Sequence, residues 1–383
     1  MSNSKITPGL KARRLLLAAG AATALSAGAM PAHAEDGGAV YLLTDSTAGN
    51  AVVAYARAAD GTLRYTGTFP TGGLGGVTPG NPPPDPLGSQ NSLTLSSRFL
   101  LAVNAGSNDV SMFLVGEDGL TLVDREPSGG TFPVSVAVDN GLVYVLNAGN
   151  SGTLPDISGF TIDAGRKKLV PLPNSMRPLA GGSSASGAQV SFAAGGRALV
   201  VTEKGDQMID TYRLDRNGYA SQPTSHRSNG AGPFGFAVTH QGYVLVSEAG
   251  AGAASSYEID GRGDLGLISG SVSLAGQVAP CWLVATPDGR YAYTGNAGTG
   301  AISLLSVDWN GAMTLVNPTA SGTSLAAPVL DLAFTQDGKF LYIRDVGNST
   351  VSGFKREADG SLTLVGTAAI PAGDLPAQGI AAR

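Results

Sequence analysis

From about residue 38 onward, short runs of Val, Leu, Ile, Tyr and Phe alternate with Asp-Gly, Asn-Gly and Gly-Gly pairs. β-Branched and aromatic residues suit a pleated, half-buried strand, while Asp-Gly and Asn-Gly supply the positive φ angles of a tight hairpin turn. No helical period stands out between these runs, so the pattern predicts an all-β chain of successive hairpins. The clearest unit is residues 288–298, Asp-Gly-Arg-Tyr-Ala-Tyr-Thr-Gly-Asn-Ala-Gly: a turn, a strand and a second turn. Residues 140–149 and 337–347 repeat that order.

Residues 93–95, 99–103, 110–115 and 120–124 read as four consecutive antiparallel strands, the content of one propeller blade. Later units open near Pro133, Ala188, Phe234, Cys281 and Val329. The residue closing each second strand fixes the register: Thr44, Asn104, Asn147, Glu203, Glu248, Asn296 and Asp345. Their spacing of roughly fifty residues falls among propeller repeats. The first unit holds only three runs (40–43, 51–56 and 63–69), and a lone strand-like stretch follows at 376–382. The expected fold is therefore a seven-bladed β-propeller of four-stranded antiparallel blades. The C-terminal strand pairs into blade 1 and closes the ring, which removes exposed sheet edges.

Residues 1–34 stand apart from this pattern. Lys5, Lys11, Arg13 and Arg14 precede an apolar stretch that ends at Ala32-His33-Ala34, the form of an export signal cleaved before Glu35. Residues 35–383 are then one propeller domain, periplasmic or extracellular, with no membrane span once the signal is removed. Arg13-Arg14 fits the twin-arginine route as well as the general secretory one. Without residues 1–34 the chain keeps 20 basic against 29 acidic residues. That balance carries no electrostatic footprint for nucleic acid. The single Cys281 excludes an internal disulfide, and a monomer is expected.

The polar residues at the second-strand ends gather on one face with the inter-blade links, and ligands favour such a mouth. Glu203 and Glu248 replace the Asn of sister blades, so paired carboxylates are expected there. One is a candidate general base that activates water. They are equally candidates to hold a divalent cation, calcium or magnesium, although nothing in the sequence requires a cofactor. His226 and Arg227 lie in the link before Pro233 as candidate acid/base and oxyanion groups. Lys204 and Arg344, with Asn104, Asn147, Asn296 and Asp345, are candidate substrate contacts. His240 sits in a turn on the opposite face and reads as a structural or solvent-exposed residue. The Pro-rich link 72–90 and the Gly/Ser-rich link 171–187 are candidates for a lid or rim. Gly-Ala-Gly-Pro-Phe-Gly at 230–235 opens a strand rather than a helix, which excludes a dinucleotide loop.

Residues 288–298 and 351–365 (Val-Ser-Gly-Phe-Lys-Arg-Glu-Ala-Asp-Gly-Ser-Leu-Thr-Leu-Val) resemble the seven-bladed propeller lactonases, relatives of 6-phosphogluconolactonase and carboxymuconate cyclase. The resemblance spans residues 38–383 and rests on turn and packing residues. It implies hydrolysis of a small lactone, and for the cyclase branch a His, Arg and Glu acting together. An exported acidic protein argues against a cytosolic phosphosugar as substrate. The alternative is a non-catalytic binding propeller that recognises an extracellular protein, glycan or cell-wall component.

Overall fold

The computed structural model describes residues 37–78, 85–321 and 328–383, which form seven antiparallel sheets. Six hold four strands and one holds five. In the second blade the order from the inside outward is Leu93–Ser96, Phe99–Asn104, Asp109–Gly116 and Gly119–Pro127. The third to seventh blades begin with the inner strands Pro133–Asp139, Gly187–Ala193, Pro233–Val238, Pro280–Ala285 and Val329–Phe334. The first blade takes its inner strand, Ile380–Ala382, from the far end of the chain, antiparallel to Gly38–Leu43. The expected ring closure is therefore present.

The turn glycines have a second task beyond hairpin geometry. In four blades an aromatic residue at or near the start of the second strand donates its hydroxyl to the outermost turn of the next blade. Tyr144 reaches Gly218 O at 2.8 Å, Tyr243 reaches Trp309 O at 3.0 Å, Tyr293 reaches Gly360 O at 2.6 Å, and Tyr342 reaches Gly61 O at 2.7 Å. Gly61 has φ +89°, and a Cβ there would lie 2.3 Å from the Phe340 ring. Only glycine meets both demands, positive φ and close approach. The Tyr342 bond and the Phe340 contact link the seventh blade to the first.

The inner strands share an irregularity that decides what reaches the axis. In the third to seventh blades the register slips near the strand's start, where the second-strand end residue pairs with the first inner residue (Pro133↔Asn147, Gly187↔Glu203, Pro233↔Glu248, Pro280↔Asn296, Val329↔Asp345). The residues skipped by the ladder are Val134, Ala188, Phe234 with Gly235, Cys281 and Asp331. A bulge leaves such residues unpaired and re-aims them.

Link 171–187 is not a lid. Its Arg177–Pro178 pairs with Asp156 and Ile157 as a fifth strand of the third blade, and Arg177 Nε donates to Ala220 O at 2.7 Å. The first part of link 72–90 does run along the rim, where Gly75 N bonds Ser46 O and Leu74 N bonds the Ser107 hydroxyl at 2.8 Å. Residues 79–84 lie outside the described residues, as do 1–36 with the expected export signal. Among the described residues, no helix is long and apolar enough to cross a membrane.

Candidate functional site

All seven second-strand end residues are buried, and most bond within their own blade or to the link that leads into it. Asn104 Nδ2 donates to Asp109 at 2.6 Å and to Ser111 at 2.8 Å, while its Oδ1 accepts from Thr71 and Asn50. Asn147 Nδ2 donates to Asp156 at 2.9 Å, and Asn296 Nδ2 to Ser303 at 2.8 Å. Asp345 accepts from Asn348 at 2.8 Å, and Thr44 donates to Asn50 at 3.1 Å. Buried polar groups are generally hydrogen-bonded, and these residues find partners in the strand that follows and in the link that precedes their blade, although Asn147 Oδ1, Glu203 Oε1 and Asp345 Oδ1 remain without one.

Glu248 accepts from Gly230 N at 2.7 Å, from the Ser271 hydroxyl at 2.7 Å and from the Ser255 hydroxyl. Glu203 accepts from Gly181 N at 3.2 Å and meets two further carboxyl groups, Asp206 and Asp210. Burial first, then Asp210 and Asp206, hold Glu203 protonated far above the usual carboxyl range. Each glutamate is engaged by its own blade and by the link that leads into it. Among the described residues, no group of three or more His, Cys, Asp or Glu side chains is placed to hold a metal ion.

The remaining candidates are dispersed. His226 and Arg227 sit on Thr224–Arg227, the outermost strand of the fourth blade, with His226 Nε2 3.2 Å from the Thr211 hydroxyl and Arg227 exposed. Arg344 is buried and donates through Nη1 to Asp345 O at 2.5 Å. Burial lowers its guanidinium to about 10.

What lies on the axis comes from an unexpected quarter. The described end of the Pro-rich link, residues 85–91, enters the ring and ties five other blades together. The Ser89 hydroxyl donates to Val134 O at 2.8 Å, and Gln90 N bonds Ala188 O. The Gln90 amide bonds both backbone groups of Leu283 at 2.9 and 3.0 Å. Its Oε1 also lies where a Cβ on Gly235 would have to sit. Trp282 Nε1 and Gln378 Nε2 converge on Ser89 O at 2.9 and 2.5 Å. The bulged residues of the inner strands meet this segment, which fills the channel on the face of the second-strand ends.

At its head stand Asp85 and Lys204. Lys204 Nζ donates to Gly88 O at 2.8 Å and lies 5.4 Å from the Phe234 ring centre. Asp85 accepts from Gly88 N at 2.8 Å. Burial pushes Asp85 up to about 6, against the pull of Gly88 N–H and Lys204. Burial brings Lys204 down to about 8, against Asp85. Cys281, in the same neighbourhood, is pushed up to about 12 by burial and remains a thiol. Asp85 was not among the residues singled out from sequence; its one visible sign is a lone acid in a link of prolines and glycines. The cluster at Glu203 had a clearer sign. Seven residues after Asn104, Glu248 and Asn296 stand Ser111, Ser255 and Ser303, the partners of those residues. The same step from Glu203 leads to Asp210.

No family model and no curated protein matches the chain. Solved structures do share its fold. A Bacteroides fragilis protein provisionally named 6-phosphogluconolactonase is 18% identical, with a TM-score of 0.67 over 92% of this chain and 100% of that one. The periplasmic gluconolactonase of Pseudomonas aeruginosa is 15% identical, with a TM-score of 0.66 over 90% and 99%. The virginiamycin B lyase of Staphylococcus aureus is 12% identical, with a TM-score of 0.54 over 75% and 86%.

Proposed function

We propose, from a propeller scaffold shared over nearly its whole length with lactonase-named proteins, that this chain is a lactonase-like hydrolase acting at the Asp85–Lys204 pair. The supporting observation is two neighbouring ionisable groups of opposite charge, both displaced toward neutrality, at the plugged axial mouth. At pH 7 Asp85 is mostly carboxylate and Lys204 mostly ammonium. Asp85 accepts a proton from water as the water oxygen bonds to the lactone carbonyl carbon, and Lys204 stabilises the oxyanion. Collapse breaks the ring acyl C–O bond, and the protonated Asp85 returns its proton to the departing alkoxide, leaving a hydroxy acid. We assign the base role to Asp85 rather than Glu203 because a protonated carboxyl cannot accept that proton. Export is part of the proposal: the basic, apolar and Ala-His-Ala sequence of residues 1–34 supports it, as does the fold shared with a periplasmic gluconolactonase.

The test is acid release from a panel of aldonolactones and simple γ- and δ-lactones. Asp85→Asn and Lys204→Met are each expected to lower kcat/KM by about 10²-fold or more, while Glu248→Gln retains turnover. The kcat/KM profile is expected to rise through about pH 6 and fall through about pH 8, following the two groups. A flat profile, or full activity in Asp85→Asn, sinks the assignment.

A further inference from the structure

Residues 85–91 occupy the axis on the face of the second-strand ends. On the face opposite the second-strand ends lies a cavity of about 540 Å³, walled by the inner strands of the second to fifth blades and the turns that follow them. Its size sits within the range of small-molecule sites, about 300–1,000 Å³. Asn91, Thr94, Asp139, Asn140, Ser191 and His240 supply its polar lining, and Phe192 and Val238 an apolar side. The Asn91 amide, the Ser191 hydroxyl and the His240 imidazole have no hydrogen-bond partner within the described residues. The Asp139 carboxylate accepts only from Asn140, at 3.1 Å.

We infer that this cavity is a binding site for a small neutral carbohydrate, separate from the Asp85–Lys204 pair. Its lining contains no Lys or Arg and one carboxylate, Asp139. The Asp139 carboxylate repels an anionic ligand such as a phosphosugar, and among the described residues no group of three or more His, Cys, Asp or Glu side chains is placed to hold a metal ion. Unpaired amide, hydroxyl and imidazole groups can instead both donate to and accept from neighbouring sugar hydroxyls, with Asp139 accepting from two at once. The Phe192 ring offers a face to the C–H side of a pyranose; it is held edge-on to Tyr144 at 6.3 Å between ring centres. Four successive blades fix these groups, so the site is preorganised and little ordering is needed on binding. His240 thereby acquires a role that its place in an exposed turn did not suggest.

The test uses the full chain with calorimetric titration against D-glucose, D-galactose, N-acetyl-D-glucosamine and maltose, with 6-phosphogluconate as the anionic comparator. At least one neutral sugar is expected to bind with a dissociation constant of about 1 mM or tighter, and the anion not to bind. Ser191→Trp, which fills the cavity, and Asp139→Ala are each expected to weaken binding about tenfold or more. His240→Ala, on an exposed turn, is a second probe should Ser191→Trp fail to fold. Lys204→Met should bind sugar as the parent does, whatever its effect on lactone turnover. Absence of heat for all four sugars up to about 50 mM, or binding unchanged in Asp139→Ala and His240→Ala, overturns the inference.

Discussion

Glu203 shows how one residue departs from a repeat at a cost to stability. Where Asn104 and Asn296 donate to a serine seven residues on, Glu203 meets Asp210, and burial together with that neighbouring carboxyl holds Glu203 protonated. The folded chain therefore holds a proton on Glu203 that the unfolded chain releases above the ordinary carboxyl range. Because the native state binds more protons there, stability falls as pH rises from that range upward. Glu203→Gln keeps the shape and removes the ionisation. It is expected to raise Tm at pH 8 by roughly 2 °C or more and to flatten the pH dependence of Tm above pH 5. A Tm lowered at pH 8 would contradict a Glu203 held protonated in the fold. The sign at Glu248 is opposite: three donors converge on it, so Glu248→Gln leaves at least one donor unpaired and is expected to destabilise by about 1–3 kcal/mol in denaturant unfolding.

Between neighbouring strands and blades, the tyrosine-to-turn bonds carry the contact. Tyr342→Phe removes one of them and is expected to cost about 1 kcal/mol. Gly61→Ala places a methyl against the Phe340 ring at a positive φ and is expected to cost roughly 1–3 kcal/mol, read from urea midpoints. Much of this organisation was legible in the sequence, because turn glycines and alternating apolar positions are local signals. The second-strand end residues, the four-stranded blades and the terminal swap follow from such signals, whereas the fifth strand of the third blade, Arg177–Pro178, does not. The axial contents do not. Cys281, Asp331 and Phe234 come to lie outside the ladder through register slips that no alternation announces. Asp85 reaches the axis because its link is held by bonds to residues as far away as Gln378 and Leu283, and a Pro-rich loop gives no hint of its path. His226 and Arg227 lie level with the second-strand ends, Arg227 pairing with Met208 and Met208 with Glu203, but on the outermost strand of the fourth blade, away from the axis.

For the molecule as a whole, the plug and the terminal strand act on the same problem, that seven sheets side by side have no reason to stop at a ring. Gln378 joins both devices: its backbone N–H bonds Asp45 at 3.2 Å and its side chain bonds Ser89 O and Leu87 N. Removing residues 380–383 is expected to lower Tm and produce concentration-dependent association, visible in size-exclusion chromatography, as the bare edge of Gly38–Leu43 seeks another strand.

The bond from Gln378 to Asp45 also spans 333 residues of chain. Contacts at such separation form late, because the closure of the intervening loop must be met before they give anything back. The first sheet to be synthesised is thus the last to be finished, and for most of the folding time its innermost edge has only water for a neighbour. A chaperone with a preference for unpaired strand edges would find its longest-lived target there.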